Sequence, residues 1–323
     1  MKKMFLLGSE RSGTNLLRVL LGNHSQVSAP PPIHLCDVLI NRRELYYPYD
    51  KATIQKLVPR IQDYVNHTFS DWKLTLDPAA FHDTYTPSSF LDILDGVYTE
   101  KARADGKTAY FSKDNHLHHY ALGLKLNFPE CHLVYIYRDP RDQVASWLKN
   151  PFHLHTAYQA AMKWKEDQAI CLALKEFYNV NLVQVKYEDL IADTPGVMTR
   201  VLTELGLAVE EQCFQTSGKN TEAKKHVLWK NLDKKVISDN HGKYREVLTA
   251  EQVNLVETLC KQEMGPLGYT LDTQANFDFG HPYVWKVREL AKIWMSRRKH
   301  NQEKGFEVII DKNRYVNEVF GRP

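Results

Sequence analysis

The stretch that most constrains this chain is its start, Met4-Phe-Leu-Leu-Gly-Ser-Glu-Arg-Ser-Gly-Thr-Asn-Leu-Leu-Arg18. The continuous apolar run Met4–Leu7 predicts a strand covered on both faces. Gly8 to Gly13 predict a tight loop. Thr14 is placed to cap a helix whose apolar side is Leu16, Leu17, Val19, Leu20 and Leu21. Strand, loop and helix start together aim backbone N–H groups and a helix dipole at a phosphate. The glycine spacing fits the nucleoside-triphosphate loop G-x-x-x-x-G-K-[ST], but Thr14 and Asn15 stand where Lys and Ser/Thr belong. The lysine that reaches the terminal phosphates and the Mg²⁺-holding hydroxyl are therefore missing. Arg11 supplies a cation inside the loop instead, so the expected ligand is an anion other than Mg-ATP.

At 323 residues the chain can bury a large core. Its 43% hydrophobic and 25% charged content is that of a soluble globular protein. A net charge of +3 gives no footing for nucleic-acid binding through bulk electrostatics. Five dispersed cysteines without a C-x-x-C pair predict reduced thiols in a cytosolic protein. Lys2 and Lys3 precede an apolar run too short for a signal peptide. No apolar stretch approaches the roughly 18–20 residues that span a bilayer. A cytoplasmic protein without a transmembrane segment is expected.

Further strands are predicted at Lys107–Lys113, His132–Tyr137 and Asn181–Lys186, and helices at His116–Phe128, Thr156–Tyr178 and Pro195–Leu205, the last ended by Gly206. Pro140 sits at the first turn of another helix carrying Val144, Ala145 and Leu148. Strands alternating with helices indicate an α/β fold with a central parallel sheet flanked by helices. Pro30-Pro-Pro32 holds the chain extended, as a stiff wall leading to His34. Residues 41–106, with Tyr46-Tyr-Pro-Tyr49, Ile54–Phe69 and Leu91–Ala104, are expected to form a variable, helical, substrate-side insertion. Thr270–Pro323, aromatic and basic (Trp285, Trp294, Arg297-Arg298-Lys299), is expected to be a helical appendage.

A second motif is Tyr137-Arg-Asp-Pro-Arg-Asp-Gln-Val-Ala-Ser146. A strand's carboxyl end and the next helix's amino end bracket a crevice in a parallel sheet. Arg138 at one lip and Ser146 two turns into the helix can grip one phosphate from two sides. The alternative is a surface ion-pair cluster of Arg138, Asp139, Arg141 and Asp142, which would contribute little.

Arg11-Ser12-Gly13-Thr14 resembles the 5′-phosphosulfate loop of sulfotransferases that use 3′-phosphoadenosine 5′-phosphosulfate (PAPS). Arg138 and Ser146 resemble that family's 3′-phosphate motif. Lys186-Tyr-Glu-Asp-Leu190 resembles the strand end whose tyrosine, here Tyr187, contacts adenine. His241-Gly-Lys-Tyr-Arg245 resembles the late basic segment that closes over the 3′-phosphate, with Lys243 and Arg245. The resemblance implies a P-loop-like catalytic domain over residues 1–269, with residues 270–323 appended. It implies PAPS as donor, held by Arg11, Ser12, Gly13, Thr14, Asn15, Arg138, Ser146, Tyr187, Lys243 and Arg245. It implies transfer to a hydroxyl or amine of a small-molecule or lipid-like acceptor.

Arg11 and Lys113 are then the groups that neutralise charge on the sulfuryl centre, and no metal is expected. The family's base positions are altered. Asn115 replaces the histidine two residues after the lysine, and Pro31 and Pro32 replace the glutamate after the first helix. His116, His34 and Asp114, in that order, are the candidate bases, with His116 held neutral by the positive end of the helix it opens. His116 and His119 would share a helix face, but no carboxylate pattern accompanies them to make a zinc site. The rival readings are a small-molecule kinase and a non-catalytic anion- or lipid-binding protein.

Overall fold

Four apolar runs become the four longest strands of one parallel sheet. These are β1 (Lys2–Leu7), β3 (Ala109–Ser112), β4 (His132–Tyr137) and β5 (Leu182–Lys186), and β2 (Val27–Ser28) completes the edge. The order is β2-β3-β1-β4-β5, with every pairing parallel. Phe5 and Leu7 of β1 face one core with Tyr110, Leu133 and Tyr135. Met4 and Leu6 face a second with Phe111, Val134 and Ile136. A sheet buried on both sides explains why Met4–Leu7 of β1 and Leu133–Tyr137 of β4 read as unbroken apolar runs. The computed structural model describes residues 1–68, 70–149, 156–216, 236–300 and 306–322.

Each strand's carboxyl end leads into a site segment. β1 leads into the 8–13 loop and α1 (Thr14–Gly22), and β4 into α8 (Pro140–Leu148). β5 leads directly into α10 (Tyr187–Ala192), then α11 (Thr194–Glu204). After β2 come α2 (Leu35–Ile40), α3 (Arg43–Tyr46), α4 (Lys51–His67), α5 (Pro78–Tyr85) and α6 (Phe90–Ala104). Residues 41–106 are thus mainly helical; Phe69, the last residue of the amphipathic stretch read there, lies outside the described residues. α9 (Ala157–Glu176) begins at a Thr156 cap, and α12 (Ala250–Met264) begins with a capping box between Thr249 and Gln252. The two pack against each other and against α8.

α13 (Pro282–His300) and α14 (Phe306–Phe320) follow. Tyr315 Oη donates to Asp63 Oδ2 at 3.0 Å, and the Phe320 ring meets Tyr64 edge-on at 5.3 Å. These contacts fix α14 to α4. The side chains of Arg297, Arg298 and Lys299 lie outside the described residues.

Two local expectations change. Thr14 does not cap α1: Gly13 holds the cap position in the left-handed region (φ 91°), with no side-chain cap bond. The helix's first N–H groups therefore receive no side-chain cap from this position. His116–Phe128 is not one helix either. His116 itself is left-handed (φ 62°), a 3-10 turn covers Leu117–Tyr120, and α7 is only Ala121–Asn127.

Candidate active site

A cleft of about 330 Å³ opens at the carboxyl edge of the sheet, lined by Arg11, Thr14, Asn15, Arg138, Ser146 and Tyr187 among others. Lys243 and Asn240 close it from the far side. Arg11, left-handed at φ 67°, turns its guanidinium across the loop mouth and donates from Nε to Ser146 Oγ at 3.1 Å. Arg138 donates from Nη1 to the Arg11 carbonyl at 3.2 Å and from Nη2 to the Asn240 carbonyl at 2.9 Å. Its Nε and the Asn15 Oδ1 are buried without a protein partner. Burial, then the neighbouring Arg138 charge, press the Arg11 pKa down. Two guanidiniums so close form a site that favours an anion.

Tyr187 seals the floor. Its ring lies 4.5 Å from the Arg138 guanidinium carbon, and its hydroxyl accepts from Asn240 Nδ2 at 2.7 Å. A Cβ at Gly13 would stand 2.3 Å from Tyr187 Cδ2. That contact, with the positive φ, explains the glycine. Ser12 is fully buried and spends its hydroxyl on the Ser9 carbonyl at 2.6 Å. It shapes the loop, and its side chain does not line the cleft.

The 138–142 motif divides rather than forming one surface cluster. Arg141 pairs with Asp139 Oδ2 at 2.7 Å and with the fully buried Glu257 at 2.7 Å. Asp142 accepts from the Gly242 and Tyr244 N–H groups at 2.6 and 2.9 Å, pinning the segment that brings Lys243 over the cleft. Arg138, Asp142, Ala145 and Ser146 all line the cavity, but the Asp142 carboxylate is spent on those two N–H groups. Arg245 does not line it: its side chain is 61% exposed and pairs with Asp272 Oδ2 at 2.7 Å, because the turn at Gly242–Glu246 points alternate residues apart.

Beyond the loop, Lys113 is buried, and burial pushes its pKa down. It donates to Asn115 Oδ1 at 3.1 Å, and Asn115 Nδ2 donates to Glu10 Oε1. Asn115 thus ties Lys113 to the anion loop instead of supplying a base. Gln143 holds the same loop from α8 through the Glu10 carbonyl at 2.7 Å. Underneath, Ser9 Oγ donates to buried Asp167 at 2.6 Å, and His118 Nε2 lies 3.0 Å from that carboxylate. His118, His119 and Asp167 bring one possible ligand atom each within 4.8 Å, a grouping unlike the His116–His119 helix face expected. Asp167 is also held by Lys163 at 2.8 Å.

His116 is half-buried and 2.8 Å from Asp37 Oδ1 through Nδ1. That hydrogen bond raises its pKa. The expectation of an imidazole kept neutral by a helix start is thereby corrected: His116 precedes a 3-10 turn, and a carboxylate from α2 outweighs any dipole. His34 is left-handed at φ 58° and stands at the N-terminal cap of α2 without a side-chain cap bond. The proline wall before it is fixed by Ser70 Oγ on the Pro32 carbonyl and Trp72 Nε1 on the Pro31 carbonyl. Asp114 is buried, its pKa pushed up to about 7 by burial and then by Asp37, with Lys113 drawing it back. Asp37, Asn240 and Lys149, a further cleft residue, escaped the sequence reading. Only Asn240, next to the basic 241–245 run, had a local signal.

The chain matches the model of the sulfotransferase family over residues 4–211. Its fold is similar to the sulfotransferase domain of the Synechococcus PCC 7002 olefin synthase, with a TM-score of 0.56 and 20% identity, covering 84% of this chain and 96% of that one. It is also similar to the sulfotransferase domain of the curacin biosynthetic pathway, with a TM-score of 0.55 and 16% identity, covering 84% and 98%. No curated protein matches the sequence. With a family match across most of the chain and a parallel sheet that collects a doubly cationic cleft at its carboxyl edge, the protein belongs to the sulfotransferase family.

Proposed function

We propose that the protein transfers a sulfuryl group from PAPS to a hydroxyl or amine of a small-molecule or lipid-like acceptor. The observation that carries this reading is the convergence of Arg11, Arg138 and Ser146 on one cleft, with Arg138 Nε buried and unpartnered. An orphaned buried donor beside a second guanidinium fits an anionic group of the donor. Arg138, Ser146 and Lys243 would hold the 3′-phosphate, Tyr187 the adenine, and the N–H groups from Gly13 to Asn15 the 5′-phosphosulfate. Bound there, the donor supplies an activated sulfuryl group and leaves as adenosine 3′,5′-bisphosphate.

The chain's own part is positioning and charge. Arg11 and Lys113 stabilise negative charge at the transfer point. His116 takes the acceptor's proton on Nε2, its Nδ1 being engaged by Asp37. His34 and Asp114 stand behind it as second and third candidates. Incubating the protein with radiosulfur-labelled PAPS and candidate extracts, then identifying the labelled product, tests the reading. Label transferred to nucleotide-free acceptors supports it, whereas phosphate transfer from ATP under the same conditions would favour the kinase alternative.

A further inference from the structure

Helix α13 is turned inside out relative to an ordinary surface helix. Its inward side carries Trp285, packed 5.2 Å from the Phe277 and Phe279 rings, and the buried acid Glu289. Its outward side carries Tyr283, Val287, Leu290 and Trp294, exposed by 77%, 65%, 57% and 60%. These four recur at i, i+4, i+7 and i+11, a spacing that normally marks the face turned to a core. Val284 and Met295, also exposed, widen the stripe. Each of the four residues keeps more than half of its surface exposed. Contiguous apolar surface of this kind marks an interaction site.

Charge identifies the occupant. The helix sequence PYVWKVRELAKIWMSRRKH has Lys or Arg at 286, 288, 292, 297, 298 and 299, against the single acid Glu289. Glu289 is already held by Lys292 at 2.7 Å. Lys286 and Arg288 flank the apolar stripe on opposite sides and are exposed. A second copy of the chain laid on this face would oppose cations to cations. A bilayer with anionic headgroups satisfies both features at once: apolar side chains enter the acyl boundary, Tyr283 and Trp294 sit at the interface, and the cations meet lipid phosphates. No described helix is long and apolar enough to cross a membrane, so the contact is in-plane.

We propose that α13 docks the protein on anionic lipid surfaces through Tyr283, Val287, Leu290 and Trp294, with Lys286 and Arg288 at the headgroups. The proposal is independent of the donor and acceptor assigned above. It is tested by co-sedimentation of the full chain with phosphatidylcholine vesicles made with and without phosphatidylserine, at low and high salt. Wild type is compared with Val287→Asp/Trp294→Asp and with Lys286→Glu/Arg288→Glu. Phosphatidylserine should raise binding about 10-fold or more, salt should reverse the gain, and each double variant should lose about 10-fold while its thermal unfolding is unchanged. No vesicle binding, or equal binding by wild type and both variants, overturns the proposal. So does a dimer in light scattering that Val287→Asp/Trp294→Asp dissociates, which would give the face to a second copy.

Discussion

Arg11 Nε and Ser146 Oγ lie 3.1 Å apart, although 135 positions separate them in the chain. This bond joins the anion loop after β1 to the second turn of α8, so the two motifs share one cleft. Arg11→Ala should lower kcat by about 10²–10³-fold, the usual cost of removing one group that stabilises developing charge. Ser146→Ala should instead weaken nucleotide affinity by about 1–2 kcal/mol with a smaller effect on kcat. Steady-state kinetics combined with calorimetry separates the two, and identical effects on both parameters would contradict the division of roles.

Gly13 and Tyr187 form a steric lock between loop and floor. Gly13→Ala should destabilise the protein by about 1–3 kcal/mol, because the added Cβ meets the ring and the positive φ disfavours alanine. Tyr187→Ala should recover part of that loss in the double variant, measured by denaturant unfolding. Strict additivity would mean that the ring is not what excludes a side chain at 13.

Asp37 raises the His116 pKa, so the base becomes available only as pH climbs past the ordinary imidazole range. Asp37→Asn should move the rising limb of the kcat–pH profile to lower pH and reduce its plateau about 10-fold, as the ring loses its orienting partner. His116→Ala should cost about 10²–10⁴-fold while leaving adenosine 3′,5′-bisphosphate affinity nearly unchanged. An active His116→Ala beside a dead His34→Ala would move the base to the proline wall.

Asp114 carries a stability signature. Its folded pKa is raised to about 7, so the native state holds its proton over a window where the unfolded chain has lost it. Stability should therefore fall as pH rises from about 4 to about 7, by up to about 4 kcal/mol, and level off above. Asp114→Asn should flatten that slope in urea titrations across the window. An unchanged slope would locate the titrating group elsewhere.

Much of this was legible in the sequence because the parallel sheet buries both faces, which makes β1 and β4 read as unbroken apolar runs. Strand ends in such a sheet converge, so the segments around Arg11, Arg138 and Tyr187 meet at one cleft, whereas Lys113 is bound to Asn115 and does not line it. Backbone conformation was not legible in the same way. The left-handed turns at Arg11 and His116 leave no periodic trace, and the second of them broke a helix that the spacing at His116–Phe128 predicted. Partners distant in sequence were also hidden: Asp37 meets His116 across 79 positions, and Asp272 draws Arg245 away from the cleft across 27.

The 3′-phosphate contact at Arg138 is tested most directly by calorimetry of adenosine 3′,5′-bisphosphate against ADP, in wild type and Arg138→Ala, with EDTA present throughout. Wild type should bind the bisphosphate far more tightly than ADP, without any need for a divalent ion. Arg138→Ala should lose about 2 kcal/mol or more for the bisphosphate and little for ADP, since a charge-assisted contact to the 3′-phosphate is what it removes. Equal affinities for the two nucleotides in wild type, or binding that requires Mg²⁺, would contradict the assignment of this cleft to PAPS.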